Sequence, residues 1–226
     1  MPQYVRHNDL YILAHFENNI TNEMLPNGVA LSSASTNTYS AGRFGTYAAL
    51  YSVADYTRFY GNGGTTTDVD IDKYKRFHID FWLYFDSLTN GATTDIFYLW
   101  RGLHSSFDSV YMRCVGGVGS AGLMTLYLKN TNGDSYSSGT VSVYIGNYIH
   151  IAIERDSDTA VKVYKNGALD ETVNVSGSYK FSDETTELKF GKVHSNTEIF
   201  RIDELRVCTG SKYSGNFTPP TQAYTV

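Results

Sequence analysis

Five large apolar side chains alternate with other residues along one short segment, and this period of two constrains the fold most. They are Phe77, Ile79, Phe81, Leu83 and Phe85. Successive side chains of a strand point to opposite faces, so all five fall on one face of an extended segment. The segment therefore predicts a β-strand with one face in a core.

The same alternation recurs along the chain, while helical periods are nearly absent. It occurs in the segments Leu10–Phe16, Met124–Leu128, Val141–Ile145 and Ile149–Ile153. We expect the following residues of these segments to face the core: Leu126, Leu128, Ile149, Ile151 and Ile153. Asn-Gly pairs, which favour the positive φ angles of hairpin turns, lie at residues 62–63, 90–91, 132–133 and 166–167. A dozen or so strands are too many for a small barrel, so we predict two large antiparallel sheets packed face to face.

The length of the chain fits this fold as one unit. With 226 residues, it suits a single domain whose core needs no disulfide or metal. We therefore expect one domain over residues 1–226. Its tail, residues 209–226, is expected to be irregular because Pro219-Pro220 would end regular structure there.

Composition excludes several classes of protein. Lys plus Arg number 18 and Asp plus Glu number 23, a net charge of −5, which is opposite to the basic surface of a nucleic-acid-binding protein. No apolar run approaches the ~18 residues that a membrane span needs. The N-terminus lacks the features of a signal peptide, so the chain folds where it is made or has lost a leader. Cys114 and Cys208 are expected to be buried thiols, and their pairing stays open.

Five stretches carry motifs in a recognisable order. They are Leu10–Glu17; Arg43–Gly45 with Ala48–Tyr51; Asp68–Ile71 leading into Phe77–Trp82; His150–Arg155 with Val163–Gly167; and Arg201–Val207 followed by Gly210–Thr221. In this order they resemble the concanavalin A-like jelly roll of the laminin-G-like type that is common in bacteriophage virion and tail proteins. The last stretch is the tightest match, since it is similar to the phage version's Ile-Asp-Glu-Leu-Arg strand and its Asn-Phe-x-Pro-Pro tail.

The resemblance implies an all-β, two-sheet antiparallel jelly-roll sandwich whose first strand, Leu10–Phe16, pairs with its last, Glu198–Val207. The tail Tyr213–Pro220 would then run over the surface, pinned by Tyr213 and Phe217. For function, the resemblance implies a non-enzymatic, lectin-like module of a bacteriophage virion, on a tail fibre or decorating the capsid, that binds host-surface glycans. The alternative is a purely structural decoration or docking protein that holds neighbouring virion subunits. We expect a homo-oligomer or multicopy array assembled in a host cytoplasm, with a secreted or bacterial cell-surface location as the alternative.

Carboxylate spacing argues against a glycoside hydrolase, although enzymes of this fold resemble one another in carrying alternating carboxylates on one strand. Asp203 and Glu204 are adjacent, so alternation predicts that they face opposite surfaces of the sheet. Glu198 and Glu204 share a face but lie about 20 Å apart at the rise of a strand. This exceeds the separation of either retaining or inverting carboxylate pairs. We therefore expect no catalytic residues.

One acidic segment has the pattern of a calcium site. Asp68, Asp70 and Asp72 alternate, which places three carboxylates on one face, and Ca²⁺ takes six to eight oxygen ligands. The alternative, which we favour, is a solvated acidic edge that prevents another strand from adding to the sheet. No other cofactor is expected. His78 and His150 lie on the less apolar sides of their strands and are expected to form cross-strand hydrogen bonds.

Aromatic residues beside turn signals are the candidate binding site. Rings with nearby Asn and Arg suit sugars, because a ring stacks on the apolar face of a sugar while polar groups bond its hydroxyls. Tyr, Trp and Arg equally suit a protein interface, so both ligands stay open. The candidate glycan- or partner-binding residues are Tyr56, Arg58, Phe59, Tyr60, Asn62, Trp100, Arg101, His104 and Tyr136.

Overall fold

The computed structural model of the chain describes residues 10–17, 29–34, 38–52, 55–61, 76–100, 109–129, 135–175, 187–191 and 198–224. Within these ranges the fold is built from strands joined by turns. In chain order the strands are β1 (Leu10–Ala14), β2 (Val29–Ala34), β3 (Thr38–Ala41), β4 (Tyr47–Tyr51), β5 (Tyr56–Gly61), β6 (Phe77–Phe85), β7 (Thr93–Trp100), β8 (Ser109–Gly116), β9 (Ala121–Lys129), β10 (Ser135–Ser137), β11 (Val141–Tyr144), β12 (Ile149–Arg155), β13 (Ala160–Lys165), β14 (Ala168–Asn174), β15 (Glu187–Gly191) and β16 (Phe200–Cys208).

The strands form two antiparallel sheets, as predicted. Sheet A has the order β14-β13-β12-β6-β16-β4-β3, with β1 also pairing with β16. Sheet B has the order β10-β9-β8-β7-β15-β5-β2, with β11 also pairing with β9. The chain is therefore an all-β jelly-roll-like sandwich, and the predicted pairing of the first strand with the last is confirmed.

One apolar core lies between the sheets. The predicted inward residues of β6 are confirmed, since Phe77, Ile79, Phe81, Leu83 and Phe85 are each at most 1 % exposed. The Phe81 ring meets two rings of sheet B edge to face, with centroid distances of 6.1 Å and 5.5 Å. Sheet A and sheet B thus interlock through large side chains of their central strands.

The remaining inward predictions are also confirmed. Leu126, Leu128, Ile151 and Ile153 are fully buried, and Ile149 packs against the core from a partly buried position. These residues belong to β9 and β12, which lie in different sheets. The alternation of each strand was therefore sufficient to identify its core face.

The hairpin between β13 and β14 has the turn that its Asn-Gly pair predicts. Asn166 and Gly167 have φ angles of 50° and 80°, the two positive values of a type I′ turn. A side chain at Gly167 would place its Cβ 1.9 Å from the carbonyl oxygen of Phe217. The turn therefore needs glycine for two reasons, its conformation and its close approach to the tail.

The tail crosses the outer face of sheet A, the face directed away from sheet B. Tyr213 is 6 % exposed, and its ring stacks on Phe217 with centroids 3.4 Å apart. The backbone N–H of Phe217 donates to the carbonyl of Gly167 at 2.8 Å. The prediction that Tyr213 and Phe217 pin the tail is confirmed.

Two further expectations concern the cysteines and membranes. Cys114 lies in β8 of sheet B and Cys208 in β16 of sheet A, and both are buried thiols. Burial raises the pKa of Cys114 to about 12, so it is protonated at neutral pH.

In the part of the chain that the structure describes, no helix is long and apolar enough to span a membrane.

Candidate functional site

A buried carboxylate organises the outer face of sheet A. Asp80, on the central strand β6, is fully buried. Its carboxylate oxygens lie close to five side chains, which are Arg206 (2.6 and 3.0 Å), Tyr224 (2.7 Å), His78 (3.1 Å), Tyr213 (3.2 Å) and His150 (3.5 Å). The Arg206 guanidinium binds through two nitrogens, which is the strongest geometry for a carboxylate pair. Two of the five contacts come from the tail, so Asp80 fastens the tail to the sheet.

A second buried carboxylate holds the start of the tail. Glu154, on β12, accepts hydrogen bonds from the backbone N–H groups of Lys212 (2.6 Å) and Tyr213 (2.9 Å), and from the Ser211 hydroxyl. Its other neighbour is Nδ1 of His78 at 3.1 Å. His78 therefore links Asp80 and Glu154, and the expectation of a cross-strand hydrogen bond is confirmed for this histidine.

The protonation states of this network follow from burial and charge. Burial alone would raise the pKa of Asp80, but Arg206 and His78 hold it well below its usual range. Burial also opposes the charged form of His78, yet Asp80 and Glu154 raise its pKa above the usual value. Burial lowers the pKa of His150, which favours its neutral form. The Asp80 carboxylate is thus stabilised as an anion by the buried Arg206 guanidinium, and the network closes this face with the chain's own tail.

Asp203 and Glu204 lie on the same side of β16, so the prediction that they face apart is wrong. The pairing of β16 with β6 shifts register between Asp203 and Arg206, and Glu204 has a φ of 52°. These are the marks of a β-bulge, in which two residues oppose one on the neighbouring strand. Because the bulge inserts Glu204 ahead of the core residue Leu205, strict alternation fails at this point.

Both carboxylates of the bulge are engaged within the fold. Asp203 accepts hydrogen bonds from the backbone N–H groups of residues 43–44 at 2.7 and 3.1 Å, and Glu204 accepts one from Tyr224 at 2.7 Å. They are 0 % and 1 % exposed. Burial raises the pKa of Asp203 to about 7, with the nearby Glu204 adding to the rise and the backbone hydrogen bonds opposing it. The pair therefore anchors a loop and the tail.

The outer face of sheet B carries a row of tyrosines that the sequence analysis did not identify. Tyr98, Tyr111 and Tyr127 occupy directly opposite positions on β7, β8 and β9. Their rings stack across the strands, with centroids 5.1 Å and 4.7 Å apart and planes within 12° of parallel. Tyr111, in the middle, is 7 % exposed, while the outer two are half-buried. We call these three residues the tyrosine row.

Basic side chains surround the tyrosine row. The Arg113 guanidinium lies 5.2 Å from the Tyr111 ring centroid and binds Asp95 through Nε at 2.6 Å. Lys129 Nζ lies 6.0 Å from the same centroid. Lys189 is directly opposite Tyr98 in the sheet. Cations near ring faces are stabilised by the ring quadrupole, so aromatic and positively charged groups are held together on this surface.

Two of the predicted binding residues join this surface. Tyr56 and Arg58 lie on β5 on the same side as the row, and Lys189 Nζ is 4.1 Å from the Tyr56 ring centroid. Tyr60 and Trp100 each pair with Glu187 of β15 in the backbone register. We call the outer face of sheet B that carries Tyr56, Arg58 and the tyrosine row the tyrosine face.

The structure corrects or relocates the other predicted binding residues. Phe59 is fully buried in the core, because it alternates with Arg58 and faces sheet A, so its assignment to a ligand-binding surface is wrong. Tyr136, on edge strand β10, packs against the core from a partly buried position. The following predicted residues lie outside the described ranges: Asn62, Arg101, His104 and the acidic set Asp68, Asp70 and Asp72.

Metal-binding geometry is absent among the residues that the structure describes. No group of three or more His, Cys, Asp or Glu side chains there could hold a metal ion. The predicted calcium ligands Asp68, Asp70 and Asp72 lie outside those residues. The calcium interpretation therefore stays a prediction.

The sequence contained a signal for part of the tyrosine row. A hairpin centred on Gly119 places residues 111 and 127 at equal distances from the turn, and β8 and β9 pair in this register. Gly119 has a φ of 73°, as a tight turn requires. The third member, Tyr98, depends on the register between β7 and β8, which no short turn sequence determines.

Comparison with known proteins identifies structural neighbours only. No family model matches the sequence, and neither does any curated protein. Solved structures do match, including the binding domain of botulinum neurotoxin DC in complex with SialylT (TM-score 0.66, 11 % identity), the receptor binding domain of botulinum neurotoxin D (0.67, 11 %) and that of type G (0.65, 12 %). They cover 92 %, 91 % and 91 % of this chain, which spans 49 %, 50 % and 49 % of theirs. At this identity the likeness establishes the sandwich fold, which the chain shares with about half of each neurotoxin binding domain.

Proposed function

We propose that this chain is a non-enzymatic carbohydrate-binding module whose ligand lies on the tyrosine face. The observation that carries the proposal is the stacked tyrosine row with basic side chains beside it. Tyrosine offers an apolar ring and a hydroxyl, which matches the mixed apolar and hydroxyl surface of a sugar. The opposite sheet offers no equivalent surface around Asp80, because the tail covers it there.

The bulge supports the non-enzymatic part of the proposal. Glycosidases need two carboxylates that can reach the bound sugar. Asp203 and Glu204 lie on the same side of β16, but both are buried and accept hydrogen bonds from backbone N–H groups. Their geometry suits holding loop and tail positions rather than attack on a glycosidic bond.

The structural neighbours support a binding role at the level of fold. Three of them are described as receptor-binding or binding domains, and one is in complex with SialylT. This chain spans only about half of each of those domains. The likeness therefore does not identify which surface of this chain would contact a ligand. The position of the ligand on this chain is therefore inferred from the residues of the tyrosine face.

Alanine substitution in the tyrosine row tests the proposal. The protein would be displayed in many copies on beads and screened against a glycan array, because single sugar sites bind weakly and multivalency raises the signal. We expect Tyr98→Ala and Tyr127→Ala each to lower the signal at least about tenfold, because multivalent display multiplies a loss of affinity at every site. Tyr127→Phe keeps the stacking, so it separates the hydroxyl from the ring.

Tyr84→Ala is the matched control for these variants. Tyr84 is half-buried on sheet A and has the Arg201 guanidinium 4.6 Å from its ring centroid, so it resembles the row in exposure and in its basic neighbour. Melting curves would confirm that each variant is folded. Unchanged glycan signals for folded Tyr98→Ala and Tyr127→Ala, or an equal loss for Tyr84→Ala, would contradict the proposal.

A second candidate function is docking to another copy of this chain, as in a multicopy array. It is favoured by exposed apolar side chains at one end of the outer face of sheet B. Val115 and Leu123 lie directly opposite each other and are 41 % and 46 % exposed. Val118, in the turn between their strands, is 81 % exposed. Contiguous exposed apolar residues mark association surfaces. Sedimentation velocity should then show a dimer or larger species that Leu123→Arg dissociates, and a monomer at all concentrations would exclude this candidate.

The resemblance to phage virion proteins supports one setting for the module. We propose that it is carried on a bacteriophage particle, on a tail fibre or the capsid, where many copies would strengthen weak glycan binding. The support is the ordered set of sequence motifs that ends in Arg201–Val207 and the tail. Immunogold labelling of particles with an antibody to this chain tests the setting, and labelling of a bacterial surface would favour the alternative.

A further inference from the structure

The described residues of the tyrosine face carry a charge opposite to that of the chain. Among the described residues, the strands of sheet B have four basic residues at outer-face positions of the register, which are Arg58, Arg113, Lys129 and Lys189, and two acidic ones, Asp95 and Glu187. The chain as a whole has 18 basic and 23 acidic residues, a net charge of −5. A positive excess on one face of an acidic chain attracts anionic partners to that face.

Basic groups lie at one end of the tyrosine row and on both sides of its middle ring. Lys189 is opposite Tyr98 at the end. Arg113 and Lys129 lie on either side of Tyr111 along the strand direction, at 5.2 and 6.0 Å from its ring centroid. The register line from Lys189 to Tyr127 crosses three strand spacings, or about 14 Å. Several sugar units could therefore lie along the row with one cation near the end at Tyr98 and two beside Tyr111.

Contacts with rings position these cations. Lys189 Nζ is 4.1 Å from the Tyr56 ring centroid, and the Arg113 guanidinium is 5.2 Å from that of Tyr111. Side chains held against rings lose less freedom when they bind a ligand, which favours binding. Hydrogen bonds from lysine or arginine to carboxylate or sulfate oxygens are about twice as strong as neutral ones.

We propose that the ligand of the tyrosine face is an acidic glycan, whose sugar rings contact the tyrosine row and whose carboxylate or sulfate groups contact the surrounding basic residues. This inference rests on the proposed function and names its substrate class. Nucleic acid shares the anionic chemistry but is disfavoured, since the chain lacks the basic surplus of nucleic-acid-binding proteins.

Polymers matched in backbone and different in charge provide the test. Biolayer interferometry of the bead-displayed protein would compare polygalacturonate with its methyl ester, and dextran sulfate with dextran. We expect at least about tenfold tighter binding to one charged polymer than to its neutral partner. The two pairs separate carboxylate from sulfate. Raising salt from about 50 to about 300 mM should weaken the binding.

Lys189→Gln is the variant that probes the charge. It should lower affinity for the charged polymer about fivefold or more, and by less for the neutral polymer. Lys165→Gln is the control, because Lys165 is also a half-buried lysine in a strand but lies in sheet A. Melting curves would verify that both variants fold.

The outcomes separate this inference from the proposed function. Equal affinity for charged and neutral polymers, or binding of a neutral glycan alone, would overturn the acidic class while the carbohydrate-binding function stands. The absence of binding to every glycan would overturn both. Competition by single-stranded DNA as effective as that by polygalacturonate would identify an unspecific polyanion surface and would also overturn the inference.

Discussion

Replacing Asp80 with Asn tests whether the buried network holds the tail and the sheet together. Asn keeps the shape of the side chain but removes its charge, so Arg206, which is 6 % exposed, loses the carboxylate that it binds through two nitrogens. Breaking one partner of a buried ion pair costs about 3–5 kcal/mol, because the other charge stays desolvated. At about 2–4 °C per kcal/mol for a domain of this length, the melting temperature should fall by about 6–20 °C.

Urea unfolding followed by tryptophan fluorescence, together with calorimetry, would measure the change at pH 7. Asp170→Asn is the control, since Asp170 is exposed on β14 and its loss should change the unfolding free energy by less than about 0.5 kcal/mol. In the double variant Asp80→Asn/Arg206→Met neither charge remains, so we expect it to regain at least about half of the lost stability.

The pH dependence gives a further check, and its sign follows from the two pKa shifts. The pKa of Asp80 is held below its usual 3.8, so its contribution is present above that pH and is lost on acidification. The pKa of His78 is raised above its usual 6.5, so its contribution is present below that pH and is lost as pH rises. The difference between wild type and Asp80→Asn should therefore be widest between these values. A loss below about 1 kcal/mol, or a double variant no more stable than the single one, would refute the reasoning.

Three further predictions concern the bulge, the tail and calcium. The pKa of Asp203 is raised from 3.8 to about 7, so ionising it destabilises the folded state. As the pH rises between these values, the free energy of unfolding of wild type should fall by about 4 kcal/mol relative to that of Asp203→Asn. A difference in melting temperature between the two proteins that does not change across this range would contradict the prediction. Ending the chain at Cys208 removes the tail contacts of Asp80 and Glu154 and should lower the melting temperature by more than about 6 °C, whereas removing only residues 225–226 should not. For the acidic set Asp68, Asp70 and Asp72, we expect calcium and EGTA to leave the melting temperature unchanged, and a rise with calcium that the triple Asn variant abolishes would establish a calcium site.

The core could be predicted from the sequence because alternation is a local property. Phe77 to Phe85 lie on one face of any extended strand, whichever strands become its neighbours. The same argument should have assigned Phe59 to the core. Phe59 follows Arg58 on β5, so the two side chains point to opposite faces, and Phe59 is buried. The adjacent glycine-rich sequence outweighed the alternation in that prediction.

The candidate site was harder to predict because it is built from several strands. Tyr56 and Arg58 were identified, but Tyr98 and Tyr111 were not, although all four lie on the outer face of sheet B. These residues come together through β15, which inserts between β5 and β7 despite its distance in the chain. Strand order of this kind depends on long-range packing, which no local pattern contains.

The sequence by itself determined the all-β class, the core face of the long strands and the Asn-Gly turn at Asn166, and its resemblance to a known family implied the anchoring of the tail by Tyr213 and Phe217. Only the tertiary structure decided that a bulge turns Asp203 and Glu204 to the same side and that β5, β15, β7, β8 and β9 bring aromatic and basic residues onto one surface. The physical reason is that alternation fixes the direction of a side chain relative to its own strand. Register and strand order depend on free energies of pairing and packing summed over residues far apart in the chain.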